Sequence, residues 1–90
     1  QAESPYLLPE IVARLHAVSR RIFTSVGYGA IMVPTYPTGM IGACVASDRG
    51  DVRIPKREVP PELAAQLRYY TSDVHRAAFA NPAFVNRLFA

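Results

Sequence analysis

The sequence predicts an α/β fold in which one helix is followed by two strands and then three short helices, and three observations predict it. Apolar residues recur at helical spacing from Leu8 to Ile22. Two short runs, YGAIMV and MIGACVAS, are apolar with no polar face. Beyond Pro60 and Pro61 helical spacing returns in brief stretches separated by helix-breaking residues. Strands without a polar face are strands covered on both sides, as in a layered α/β structure.

The first element lies in SPYLLPEIVARLHAVSRRIF, where Leu8, Ile11, Val12, Leu15, Val18 and Ile22 form a stripe of period 3.6. Pro9 suits the first turn, whose N–H groups have no helical partner, while Glu10 at one end and Arg20 with Arg21 at the other complement the helix dipole. A helix from Leu8 to Phe23 is the result, with His16 just beside the stripe. A turn at Ser25 to Gly27 leads into the first strand, Tyr28 to Val33, and Met40 to Ser47 forms the second. Gly29 and Gly42 inside these runs mark a bulge or a close approach of another backbone or a ligand.

The connection between the strands is PTYPTG, Pro34 to Gly39, a hairpin loop made irregular by two prolines that fix φ and remove two backbone donors. SDRGDVRIPKREVP is polar, charged and proline-containing, hence a surface loop. Pro60 and Pro61 introduce a helix from Glu62 to Tyr70 with Leu63, Leu67 and Tyr70 on one face. Thr71, Ser72 or Asp73 caps the next helix, through Val74, Ala77 and Ala78. Asn81-Pro82 stops it and starts a last one carrying Phe84, Val85, Leu88 and Phe89.

Half of the 90 residues are hydrophobic and 19% are charged, the balance of a folded chain. A chain this short buries only roughly 60 to 65% of the surface its unfolded form exposes, so one domain with a thin margin of stability is expected. The single Cys44 sits in an apolar run and has no disulfide partner or metal-ligand companions, which makes it a small buried hydrophobe. Ten Lys and Arg against seven Asp and Glu give +3. The bases are dispersed, with no aromatic-interleaved stripe, so a solvated face is expected and no nucleic-acid partner. No apolar run approaches the ~18 residues of a membrane span, and no basic-then-apolar leader appears, so the expected location is the cytosol, away from membranes.

Catalytic patterns are absent: no glycine-rich phosphate loop, no HExxH, no GxSxG, no paired carboxylates. No residue is assigned a catalytic role and none a metal. His75 and the Tyr69-Tyr70 pair are expected to be structural. Tyr36 is the exception, an aromatic face and a hydroxyl held between Pro34 and Pro37. It can pack on Pro37 to close a turn or line a ligand at the end of a strand, and local sequence leaves both open.

The combination QAESPYLLPEIVARL, VPTYPTGMIG and LRYYTSDVHRAAFANPAFVNRL resembles the C-terminal part of the polyamine aminopropyltransferases, the spermidine synthases in particular. The resemblance runs from Gln1 to Leu88. It rests on Gln1-Ala2-Glu3-Ser4, on Pro34 to Gly39 with Thr38 where the family has serine, and on Tyr69-Tyr70 followed by Asp73, His75, Ala77, Ala78, Phe79, Pro82 and Phe84. It implies the C-terminal part of a Rossmann-like sheet of class I methyltransferase type, in which the two strands are late and antiparallel neighbours. The activity implied is transfer of an aminopropyl group from decarboxylated S-adenosylmethionine to putrescine, giving spermidine and methylthioadenosine.

On that resemblance Tyr36 matches the tyrosine lining the putrescine site and Gln1 a glutamine at its edge. The co-substrate is held mainly by a nucleotide-binding half that has no counterpart in residues 1–90, and no other cofactor is expected. The family's catalytic aspartate likewise has no counterpart here, and Glu3 is the one carboxylate near the motifs. The segment is thus expected to be one wall of an active site, completed by the remainder of the enzyme as a homodimer or homotetramer. The alternative is a non-catalytic binding or regulatory module that associates with such an enzyme.

Overall fold

The computed structural model describes all 90 residues. Its elements run α1 (Pro9–Ile22), β1 (Ser25–Met32), β2 (Met40–Ser47), α2 (Pro61–Ala64), α3 (Ser72–Ala78) and α4 (Ala83–Leu88), the order the sequence predicts. β1 and β2 pair antiparallel from Ser25 opposite Ser47 to Met32 opposite Met40. α1 and α4 lie on one face of this pair and α3 on the other. This is an α/β arrangement consistent with part of a Rossmann-like sheet.

Strand β1 begins at Ser25, so the Ser25 to Gly27 stretch is paired strand and not the turn expected. The open end of the hairpin is tied by Asp48, whose Oδ1 accepts from the Thr24 N–H (2.9 Å) and hydroxyl (3.3 Å). Gly27 then serves packing: a Cβ there would lie 2.8 Å from the Phe79 ring of the helix above. The turn lies before it, where Phe23 leaves α1 in extended conformation.

The core is small. Ala2, Val12, Tyr28 and Val85 are buried, with Met40, Cys44, Phe84, Leu88 and Phe89 packed around them. His16 is buried as well and stacks on Phe89, ring centroids 4.0 Å apart, where burial and then the charge of Arg20 hold its pKa below the usual histidine value. Between α3 and α4 the chain passes around the outer edge of β1, where Asn81 Nδ2 donates to the Tyr28 carbonyl at 2.8 Å.

Tyr28 joins both strands to the amino-terminal segment. Its ring lies across Gly42 of the neighbouring strand, in the space a Cβ would occupy, and its hydroxyl donates to the Glu3 carbonyl at 2.6 Å. Glycine at position 42 is therefore a close-approach residue, but the approaching group is the Tyr28 side chain and not the backbone or ligand that the sequence suggested.

Two further expectations are corrected. The apolar stripe of α1 is not its core face: only Val12 of that stripe is buried, and Ser19, outside the stripe, comes within 3.5 Å of Cys44 Sγ while buried His16 stacks on Phe89. A sheet of two strands is too narrow to cover a wide helical face, so Ile11, Leu15, Val18 and Ile22 stay exposed. The helix expected over Glu62 to Tyr70 is a single turn, Pro61–Ala64. Leu63 and Leu67 have no surface to cover, and a short helix without tertiary packing is not held. The two tyrosines are drawn elsewhere: Tyr69 Oη accepts from the Met32 N–H (3.0 Å) and Tyr70 Oη bonds His75 Nδ1 (2.8 Å).

Gly42→Ala is expected to cost at least about 1–3 kcal/mol, because neither the Tyr28 ring nor the paired backbone can retreat. A denaturant midpoint within error of the parent would contradict this packing. Burial, then the charge of Glu3, push the Tyr28 phenol up to about 12. A phenol held neutral in the folded state contributes stability that is complete below its unfolded pKa of about 10 and is lost as pH rises through about 12. Thermal midpoints should thus fall across that alkaline window, and Tyr28→Phe should reduce the fall.

Candidate functional site

The Pro34 to Gly39 loop is built from two tight turns that share Tyr36. The Tyr36 N–H donates to the Val33 carbonyl (2.9 Å), closing a turn with Pro34 at its second position. The Gly39 N–H donates to the Tyr36 carbonyl (2.8 Å), closing another with Pro37 at its second position. That is the position where a ring-fixed φ near −65° fits. Gly39 then takes φ +72° and returns the chain to β2, its carbonyl receiving the Val33 N–H at 2.9 Å. Both prolines therefore set the backbone on either side of one aromatic side chain.

The amino-terminal segment is tied to this loop. Thr38 Oγ1 donates to the Met40 carbonyl (3.2 Å), so its contact with Ser4 Oγ (2.9 Å) has the serine as donor. Ser4 Oγ also accepts the Tyr6 N–H at 3.3 Å, which satisfies this fully buried hydroxyl. Thr38 thus ties the loop to the amino-terminal segment through its hydroxyl.

Between these anchors Glu3 adopts φ +58°, a left-handed conformation uncommon for a residue with a side chain. Two interactions hold it there: its carbonyl accepts the Tyr28 hydroxyl, and the Gly42 N–H donates to the same carbonyl at 2.9 Å. The side chain reaches Tyr36, whose hydroxyl donates to Glu3 Oε2 at 3.3 Å. Desolvation, then the charge of Glu3 and this hydrogen bond, raise the pKa of Tyr36. With its proton directed to the carboxylate, the phenol oxygen keeps lone pairs for an incoming donor. Carboxylate and phenol together make a spot rich in acceptors, suited to an ammonium group.

Gln1 is exposed, two residues before Glu3. The structure brings Tyr36 and Glu3 together and gives Gln1 no hydrogen bond to either. The site is an open wall: clefts of about 870 Å³, near Arg20, Arg21 and Arg53, and about 320 Å³, between the sheet and α3, lie away from it. No three of the His, Cys, Asp and Glu side chains converge on one point.

Sequence reasoning singled out Tyr36 and noticed Glu3 only as the nearest carboxylate. It missed Tyr28, which seats Glu3, and Tyr69, whose hydroxyl fixes the Met32 amide at the foot of the loop. His75 is placed as the sequence suggested, in a structural role: Nε2 donates to the Val52 carbonyl (3.0 Å), so Nδ1 accepts from Tyr70.

No family model matches the chain. Similarity to known proteins is nonetheless extensive. A spermidine synthase of Dictyostelium discoideum is 34% identical over 84 residues, 93% of this chain and 30% of the relative. Putrescine N-methyltransferase 2 of Nicotiana tabacum is 39% identical over 98 positions, with 98% of this chain and 28% of the relative covered. A polyamine aminopropyltransferase of Clostridium tetani is 36% identical over 88 residues, 98% of this chain and 31% of the relative. The chain therefore spans about a third of the length of the curated relatives it matches.

Replacing Glu3 with glutamine removes the charge that opposes ionisation of Tyr36. Glu3→Gln is expected to move the Tyr36 phenol down toward the ordinary tyrosine value, read by ultraviolet titration against a Tyr36→Phe reference. An unmoved Tyr36 titration would break the Glu3–Tyr36 pairing.

Proposed function

Since the chain belongs to the polyamine aminopropyltransferase family, corresponding to its C-terminal segment, we propose that it forms one wall of the polyamine site in an enzyme that transfers an aminopropyl group from decarboxylated S-adenosylmethionine to putrescine. The observation that carries this reading is the Tyr36–Glu3 pair. A diamine is cationic at both ends with an apolar chain between them. The Glu3 carboxylate and the Tyr36 oxygen suit one ammonium end, and the Tyr36 ring, braced by Pro34 and Pro37, suits the methylene chain. Gln1, on the same segment, is assigned to the edge of that site.

The relatives' names support the acceptor as what this segment holds. Spermidine synthase is named for its product and putrescine N-methyltransferase for its acceptor and transferred group, yet both names point to polyamines. A segment common to both fits the shared polyamine and not the donor. These are names of enzymes, which favours the enzymatic reading over a non-catalytic module.

General-base chemistry needs a group within hydrogen-bond reach of the attacking nitrogen. In this reading Glu3 binds, and deprotonation and the nucleotide belong to the part of the family's length outside the match. A cytoplasmic homodimer or homotetramer is the proposed setting.

In a protein completed with that part, Tyr36→Phe is expected to weaken putrescine binding by at least ~2- to 13-fold, the value of a neutral hydrogen bond, and by more, to about 3 kcal/mol, for one to a charged amine. Glu3→Gln should cost about 10- to 100-fold, because a charged partner is lost. Calorimetric titration with putrescine measures both, and parental affinity in both variants would overturn the assignment. The 90-residue chain alone should release no methylthioadenosine.

A further inference from the structure

We propose that the cleft at the open end of the hairpin, formed where the end of α1 meets the loop that follows β2, is a binding site for the polyphosphate group of a small ligand, held by Arg20, Arg21 and Arg53.

Folding gathers bases that the sequence disperses. Arg20 and Arg21 end α1 and Arg53 follows β2, yet these arginines line one cleft of about 870 Å³ together with Thr24, Gly50 and Asp51. Lys56 lies against Gly50, where a Cβ would come 3.5 Å from Lys56 Cε, and its Nζ donates to the Arg49 carbonyl. The nearby carboxylates are already engaged. Asp51 receives Arg53 Nε on Oδ1 (2.9 Å) and Nη2 on Oδ2 (2.7 Å), and Asp48 Oδ1 receives the N–H and the hydroxyl of Thr24. Positive charge is left over.

The guanidinium groups are presented in ways that suit phosphate oxygens. A guanidinium carries five N–H donors and the Asp51 fork takes two of them from Arg53, so its Nη1 group and one Nη2 hydrogen remain free to donate. The fork also fixes the Arg53 side chain, which therefore loses little further freedom when a ligand arrives. Arg21 has no ion-pair partner, since the ion pairs of the chain are Arg53–Asp51 and Arg76–Asp73, and Arg20 makes a single 3.4 Å hydrogen bond to the Phe89 carbonyl. Complementing the helix dipole does not account for the arrangement. A helix end carries about half a negative charge, which Arg20 and Arg21 exceed before Arg53 is added.

Size and charge choose the ligand. A carboxylate is satisfied by one guanidinium fork, whereas linked phosphates spread their charge over a length that donors from separate segments can share. The cleft has the volume of a small-molecule site, and Ile22, Phe23 and Phe89 give it an apolar part on which the remainder of such a ligand can lie. Tyr36 hangs from the opposite end of the eight-residue strands, about 23 Å away at the usual rise of a strand, so the site is separate from Glu3 and Tyr36 and independent of the polyamine reading. A cation is drawn to one end of the hairpin and an anion to the other.

The test titrates the 90-residue chain with sodium tripolyphosphate, ADP and adenosine, without divalent metal, following heat and the arginine Nε resonances by nuclear magnetic resonance. Saturable binding of tripolyphosphate and ADP is expected, with the Nε–H signals of Arg20, Arg21 and Arg53 shifted, and no binding of adenosine. An affinity for ADP above that for tripolyphosphate assigns a nucleotide-like ligand, and one no greater assigns the phosphates alone. Arg20→Gln with Arg21→Gln should weaken both ligands at least ~10-fold, the value of hydrogen bonds from charged donors. Arg14→Gln with Arg87→Gln removes the same charge outside the cleft and should leave affinity within about 2-fold, because distant exposed charges are screened. Absence of saturable binding, adenosine binding as tightly as ADP, or equal weakening by the two double variants overturns the proposal. The resonance shifts are read on the parent chain, so a variant that folds poorly leaves the test intact, and failure here is distinct from failure of the polyamine reading.

Discussion

The structure depends on the Tyr28 side chain lying across Gly42 to hold the Glu3 carbonyl. One residue of β1 thereby spans its neighbour β2 and fastens a third segment to the far side. Only a position without a Cβ permits the crossing. The fastening sets Glu3 in a left-handed conformation, and such a conformation persists only where its surroundings over-determine it. Here the surroundings are two hydrogen bonds on a single carbonyl, from Tyr28 and from Gly42.

The chemical consequence is preorganisation. The loop supplies Tyr36 on a backbone fixed by two prolines and two turn hydrogen bonds, and the Tyr28 contact supplies Glu3 on a backbone fixed by the sheet. Neither side chain needs extensive ordering when a cation arrives, so little entropy is lost on binding. Ser4 and Thr38 join the two backbones directly, which couples the position of the carboxylate to that of the phenol. On the proposed reading, such a wall orients an ammonium group without supplying a base for it, and the transfer chemistry belongs to the part of the enzyme outside this segment.

The same economy explains the uneven surface. Side chains from the C-terminal region occupy backbone groups along the outer edge of β1, while Ile11, Leu15, Val18 and Ile22 of α1 stay exposed. Four buried apolar residues make a small core for 90 residues, in keeping with the thin margin expected of a chain this short.

Much of this was legible in the sequence because it is local. The period of α1, the two apolar runs, the caps and stops at Thr71 and Pro82, and the stiff loop around Tyr36 all arise from propensity and turn chemistry, and each element appears in its predicted order. Thr71 does cap α3, its Oγ1 accepting the Val74 N–H at 3.0 Å. The three motifs pointed to the family for the same reason, since they are short and contiguous. What the sequence could not decide depended on which surfaces meet. Periodicity showed that α1 has an apolar face, but only the width of the sheet decided that Val12 is buried while Ile11, Leu15, Val18 and Ile22 are not. A helical pattern over Glu62 to Tyr70 gave way because Tyr69 and Tyr70 found partners outside it. Glu3 became part of the site through Tyr28, 25 residues away, a contact that exists because residue 42 lacks a side chain. Local sequence determines which segments become helix, strand and turn, whereas side chains distant in the chain meet only after packing, and that meeting decided the site.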